Sequence, residues 1–276
     1  MGEQGPGFHT PGPVCWGHPR ACGEQQRVRG IDHPDTLTAQ VNLAFSYQRA
    51  GRTREAITIL EQVVVASERL LGEDHPDTLT ARANLATSYQ QAGRTGDAIA
   101  ILEQVVADRE RLLGEDHPDT LTARANLALA YWQAGRKGDA IAILEQVVAD
   151  RERLLGEDHP DTLTARANLA TSYQQAGRTG DAITILEQVV VASERLLGED
   201  HPDTLTARAN LATSYQQAGR TGDAIAILEQ VVADRERLLG EDHLDTLTAR
   251  VNLATSYQRA GRTGDAITIL ERVVAD

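Results

Sequence analysis

The chain has 276 residues, a net charge of −13, and 4% aromatic residues within a 41% hydrophobic share. An acidic surface repels a phosphate backbone, which argues against a nucleic-acid partner. Two cysteines, Cys15 and Cys22, make no disulfide framework, and no apolar run approaches the ~20 residues of a membrane helix. The N-terminus lacks a basic stretch followed by an apolar one, so it does not read as a secretion signal, and the cytoplasm is the expected compartment.

Residues 1–26 interleave glycine and proline and are expected to be a disordered leader, because they cannot bury enough apolar surface to offset ordering. From Arg27 a register begins: Val28-Arg29-Gly30-Ile31-Asp32 aligns with Leu112-Leu113-Gly114-Glu115-Asp116, as the degraded end of a preceding unit. His-Pro-Asp or a near copy then starts at His33, His75, His117, His159, His201 and His243, each step being 42 residues. Residues 75–116 and 201–242 are identical. A fixed period of this length marks a repeat array, in which each unit touches only its neighbours.

In the unit 75–116, Pro76 suits a first helical turn, with Asp74 or His75 as the cap and Asp77 at the positive end of the helix dipole. Helix A is expected to run to about Ala92, with Gly93 left-handed after it. Thr95 or Gly96 is expected near the next cap, and helix B spans about Asp97 to Leu113. Its apolar residues Ala98, Ile101, Leu102, Val105, Val106, Leu112 and Leu113 follow the spacing of one buried face. Neither helix can bury its stripe alone, so six hairpins stack into an all-α solenoid over 27–276. The chain stops inside helix B of the sixth unit, with no polar capping helix. A fragment, a truncated product or an end-to-end associating chain is expected.

Leu85-Ala86, Tyr89, Gly93, Ala98 and Leu102 have the spacing of small and large packing residues in tetratricopeptide repeats, which the unit resembles. The 42-residue period and the run Gly-Glu-Asp-His-Pro-Asp-Thr joined to Ala-Asn-Leu-Ala resemble the kinesin-light-chain type of that repeat. The pattern departs at Arg82, Arg124, Arg166, Arg208 and Arg250, with Gln40 in the first unit, where the family has a bulky residue. The resemblance implies a right-handed superhelix of antiparallel helix pairs, whose A helices line a concave peptide-binding groove.

At about 100° per residue, Thr80, Asn84, Thr87 and Gln91 share one polar, uncharged face of helix A, opposite Leu85, Tyr89 and Ala92. The period carries the amide into a column: Asn42, Asn84, Asn126, Asn168, Asn210 and Asn252. An amide offers two donors and an acceptor, so a ladder of them can bond the backbone of an extended peptide. The resemblance points to the same asparagines. The alternative is that each Asn bonds a neighbouring helix. Breaks in the period fall partly on this face. Phe45 and Leu129 replace Thr87, and Trp132 replaces Gln90. Arg49 and Arg259 stand where other units have Gln91, Gln175 or Gln217. Leu129 and Trp132 are three apart and meet on one helix surface, either as a partner anchor or with the Trp filling a gap against the next helix.

Arg82 and its equivalents are expected to form an ion-pair column, with Asp108 or Glu110 in reach. The repeated His is read as part of a helix start and not as a metal ligand. Cys15, His18 and Cys22 form only a weak cluster. No phosphate loop and no nucleophile–base set is present. Ser88 and its equivalents read as helix-surface positions. No enzyme and no cofactor is therefore expected. A scaffold that holds a protein or peptide partner is the first reading, a self-assembling repeat array the second. The sensor part of a larger signalling ATPase is the third, on family analogy alone.

Overall fold

The computed structural model describes residues 33–275. The leader at 1–26, with its Cys15–His18–Cys22 cluster, and the partial unit at 27–32 lie outside the described residues. Every described element is an α-helix, and two helices fall in each 42-residue period. The A helices are α1 (Pro34–Arg49), α3 (Pro76–Gln91), α5 (Pro118–Gln133), α7 (Pro160–Gln175), α9 (Pro202–Gln217) and α11 (Leu244–Arg259). The B helices are α2 (Thr53–Leu71), α4 (Thr95–Leu113), α6 (Lys137–Leu155), α8 (Thr179–Leu197), α10 (Thr221–Leu239) and α12 (Thr263–Ala275).

Contacts divide the chain between Ala134 and Gly135 into two compact units. Within the first, α1 to α5 pack in sequence, and α3 also touches α5. Within the second, α6 to α12 pack in sequence, and α7 touches α9 as α9 touches α11. A helices thus meet A helices, while α2, α4, α8 and α10 each meet the A helix on either side.

The caps follow from local chemistry. His75 is the cap of α3, and its Nδ1 accepts the amide of Asp77 at 3.2 Å. That nitrogen can accept only while it carries no proton. Pro76 then costs nothing, because its missing N–H would be an orphan. At the other end Gly93 sits at φ +74. Its amide donates to the Gln90 carbonyl at 3.0 Å and that of Arg94 to the Tyr89 carbonyl at 2.8 Å, the paired bonds that end a helix on a left-handed residue. Helix B begins earlier than expected. Its cap is Arg94, and Thr95 and Gly96 lie in its first turn. Arg94 supplies no side-chain cap; its Nε donates to Asp97 at 2.6 Å and its guanidinium stacks 4.0 Å from the Tyr89 ring.

The core is built from small and large residues in register. Ala86, Ala98, Leu79, Leu102 and Val105 are at most 1% exposed. Alanines let the backbones approach, and each fully buried leucine or valine contributes about 1.5–3 kcal/mol. Leu85 and Tyr89 are buried as expected, whereas Ala92 is the exposed C-cap. Leu112 and Leu113 do not belong to the buried stripe: they are 40% and 37% exposed, and Asp108 and Arg109 are buried instead.

Two further corrections concern polar residues. Ser88 is not a surface position. It is fully buried, and its hydroxyl meets Nε2 of Gln48 at 2.5 Å. Arg82 does lie near Asp108, at 3.6 Å, but its closest partner is Glu68 of the preceding B helix at 2.7 Å. Glu110 pairs with Arg124 in the same way, also at 2.7 Å. An A helix is therefore clamped mainly to the B helix before it. Tyr89 adds a second clamp in that direction, donating to Glu61 at 2.7 Å.

Candidate protein-interaction groove

The polar face of the A helices has a floor. In the first unit, α1, α2 and α3 enclose a cavity of about 450 Å³. Leu37, Val41, Val63, Leu70 and Leu71 supply its apolar wall, and Thr38, Asn42, Ser67, Asp77, Thr80 and Asn84 its polar rim. In the second unit, α7, α8 and α9 enclose a smaller cavity of about 200 Å³ in the same register. Its wall includes Leu163, Val189, Leu196 and Leu197, and its rim carries Asn168, Ser193, Asp203, Thr206 and Asn210. The exposed leucines at the ends of α2 and α8, Leu70, Leu71, Leu196 and Leu197, are thus groove lining.

The asparagines are the free hydrogen-bonding groups here. Asn42, Asn84, Asn126, Asn210 and Asn252 are half-buried and Asn168 is exposed. Among the described residues their side-chain amides enter no hydrogen bond, and only their backbones are engaged, within the helix and by side chains that donate to their carbonyls. Ser46 donates to Asn42 at 2.9 Å and Gln174 to Asn210 at 3.1 Å. The threonines differ. Thr80 spends its hydroxyl on the Pro76 carbonyl at 2.9 Å and Thr87 on that of Ala83 at 3.1 Å.

The other expected site residues scatter along this face. Phe45, 38% exposed, shares a second groove of about 480 Å³ with Gln48, Arg49 and Gln91. Gln175 and Gln217 are exposed at the ends of α7 and α9, and Thr87 is half-buried. Leu129 is 51% exposed on α5, and Trp132, one turn on, is half-buried. The groove lining missed by sequence reasoning is Leu70, Leu71 and Ser67 with their counterparts. The signal available was the pair of leucines that ends each B helix beyond the last buried valine.

Among the described residues no three His, Cys, Asp or Glu side chains converge as metal ligands, and no helix is long and apolar enough to cross a membrane.

A tandem array of two-helix hairpins with a lined face on its A helices defines a helical-repeat interaction protein. Models of the tetratricopeptide repeat match residues 35–111, 168–237 and 210–275, and a second model of the same description matches 120–161. The chain belongs to the tetratricopeptide repeat family, with repeats of the kinesin-light-chain type. A Podosopora anserina protein provisionally described as a kinesin light chain, with nearly identical TPR-like repeats, is 38% identical. That likeness covers 75% of this chain and 98% of the other, at a TM-score of 0.67. BtubC of P. vanneervenii is 20% identical over 81% of this chain and 90% of its own, at a TM-score of 0.70. A signal-transduction ATPase with a tetratricopeptide repeat sensor, from Pyrococcus horikoshii, is 12% identical over 93% of this chain and 38% of its own, at a TM-score of 0.68. These last two likenesses show the fold alone. No match was found among curated protein sequences. Proteins of this family are in general interaction scaffolds, and this chain is one by its repeats.

Proposed function

We propose that the A-helix face holds an extended segment of a partner protein, and that the Asn column bonds the partner's backbone. The observation that carries this reading is the pairing of unused amides with an apolar floor. Asn42 and Asn84 flank one cavity, and Asn168 and Asn210 flank another. A backbone-directed ladder gives affinity, and the pockets between its rungs receive side chains. Phe45, Leu129 with Trp132, and the arginines Arg49 and Arg259 are A-helix positions where one repeat differs from the next, and partner choice is assigned to them. A cytoplasmic site of action goes with this reading.

Selection of a random peptide library on the wild-type protein tests it, followed by affinity measurement on an Asn84→Ala/Asn126→Ala variant. Selected peptides are expected to bind the variant at least about tenfold more weakly, a loss of about 1.4 kcal/mol, with helicity unchanged. Equal affinity for both proteins contradicts the Asn role.

A further inference from the structure

The B helices come in two versions. Val65-Ala66-Ser67 in α2 and Val191-Ala192-Ser193 in α8 stand where α4 has Ala107-Asp108-Arg109. α6 and α10 follow α4, with arginine at Arg151 and Arg235. The three positions change together, and both versions are electrically neutral, since Asp108 accompanies Arg109.

Arg109 lies in the space that is open beside Ser67. It is 8% exposed, and donates to the Asp119 carbonyl at 2.9 Å and to the Thr80 hydroxyl at 3.4 Å. Asp119 and Thr80 sit 42 residues beyond Asp77 and Thr38, which line the open cavity. Arg151 and Arg235 repeat the bond, to the Asp161 and Asp245 carbonyls at 2.8 and 2.9 Å. Burial pushes the Arg109 and Arg235 pKa values down, as expected of a cation drawn out of water. Asp108 is held on its own side by Gln104, Arg82 and Arg111, at 3.2, 3.6 and 3.0 Å. The Asp–Arg version therefore plugs the groove from below and ties the plug down. The Ala–Ser version leaves it open, and the 450 and 200 Å³ cavities belong to the two repeats that carry serine.

We propose that this serine-or-arginine exchange sets which repeats accept a side chain, and that each open pocket takes one aliphatic side chain of a partner segment with a basic residue beside it. The walls are leucine and valine, which suits an aliphatic group. Among the described residues, the charge on each rim is a carboxylate, Asp77 or Asp203. The chain as a whole is acidic, so a cation next to the anchor is the complementary partner. This inference rests on the peptide-groove reading.

The test is an NMR titration of side-chain amides with the peptide acetyl-Ala-Lys-Leu-Lys-Ala-amide. Saturable shifts are expected at Asn42, Asn84, Asn168 and Asn210. The closing variant, A66D/S67R with A192D/S193R, is expected to lose these shifts and bind at least about tenfold more weakly. The opening variant, D108A/R109S, is expected to bring Asn126 into the shifted set. Each exchange copies two of the three differing residues of a sister repeat, and a circular dichroism melt checks folding. Replacement of both lysines by glutamate is expected to abolish saturation. Absence of saturable shifts in the wild type, wild-type affinity in the closing variant, no change at Asn126 in the opening variant, or equal binding of the glutamate peptide overturns the proposal. If the closing variant binds normally while an Asn42→Ala/Asn84→Ala/Asn168→Ala/Asn210→Ala variant does not, the pocket exchange fails and the groove reading stands. Full binding by the Asn variant removes the groove reading itself.

Discussion

Gln90 shows how closely single residues are coupled across repeats. Gln48 meets Ser88 forty residues on, and Gln174 and Gln216 meet Ser214 and Ser256 in the same way. The matching position for Gln90 is Ala130, and its Nε2 is buried without a partner. An orphaned buried donor costs about 1–3 kcal/mol. Ala130→Ser should restore the bond and raise stability by about 1 kcal/mol in urea unfolding; a loss of stability contradicts this account. The tyrosine clamps give a pH signature. Burial first, then the bond to Glu145, pushes the Tyr173 hydroxyl up to about 12. Tyr257, buried and bonded to Glu229, is pushed up to about 12 as well. The folded state holds these protons longer than the unfolded chain does. Their stabilisation is complete below the usual phenol range and is lost as pH rises through about 12. Tyrosinate absorbance during alkaline titration should rise at higher pH in the folded protein than in denaturant, and superimposable curves would refute it.

At the scale of the helix, two glycines with equal room behave in opposite ways. A β-carbon added at Gly93 or at Gly96 would meet nothing within 4 Å, but only Gly93 has positive φ, at +74. Gly93→Ala should cost about 1–2 kcal/mol, and Gly96→Ala, inside the first turn of α4, should gain about 0.5–1 kcal/mol. Thermal melts of the two variants should move in opposite directions; shifts of the same sign contradict the assignment of the turn. The elements themselves were legible in the sequence, because Pro76, Gly93 and Gly114 recur in the units, with Leu244 in place of the proline in the sixth, and leucine, valine and alanine follow the helical spacing between them. The ends of helix B were not. Leu112 and Leu113 continue the apolar spacing, and only the neighbouring helices decide that they stay exposed, as they decide that Leu70, Leu71, Leu196 and Leu197 line a cavity. Ser88 escapes sequence reading for a related reason: a hydroxyl in a helix looks solvated until its partner, forty residues away, is placed. Spacing alone assigns Arg82 to its own hairpin, yet the geometry binds it first to the preceding one.

At the scale of the molecule, repetition is what made both the family and the Asn column readable, since a period of 42 residues returns the same amide to the same face six times. The pockets were less legible, because they depend on a three-residue exchange in the B helices, whereas the conspicuous differences between units lie in the A helices. On the proposal made above, near-identical repeats carry two kinds of information: a constant ladder for a backbone, and a sparse pattern of open and plugged positions. Among the described residues, each compact unit has an open position of this kind beside two asparagines. The most direct measurement is calorimetric titration of a library-selected peptide into the wild type and into an Asn42→Ala/Asn84→Ala/Asn168→Ala/Asn210→Ala variant of equal helicity. The account predicts a loss of affinity of at least about tenfold in the variant, and equal affinities would contradict it.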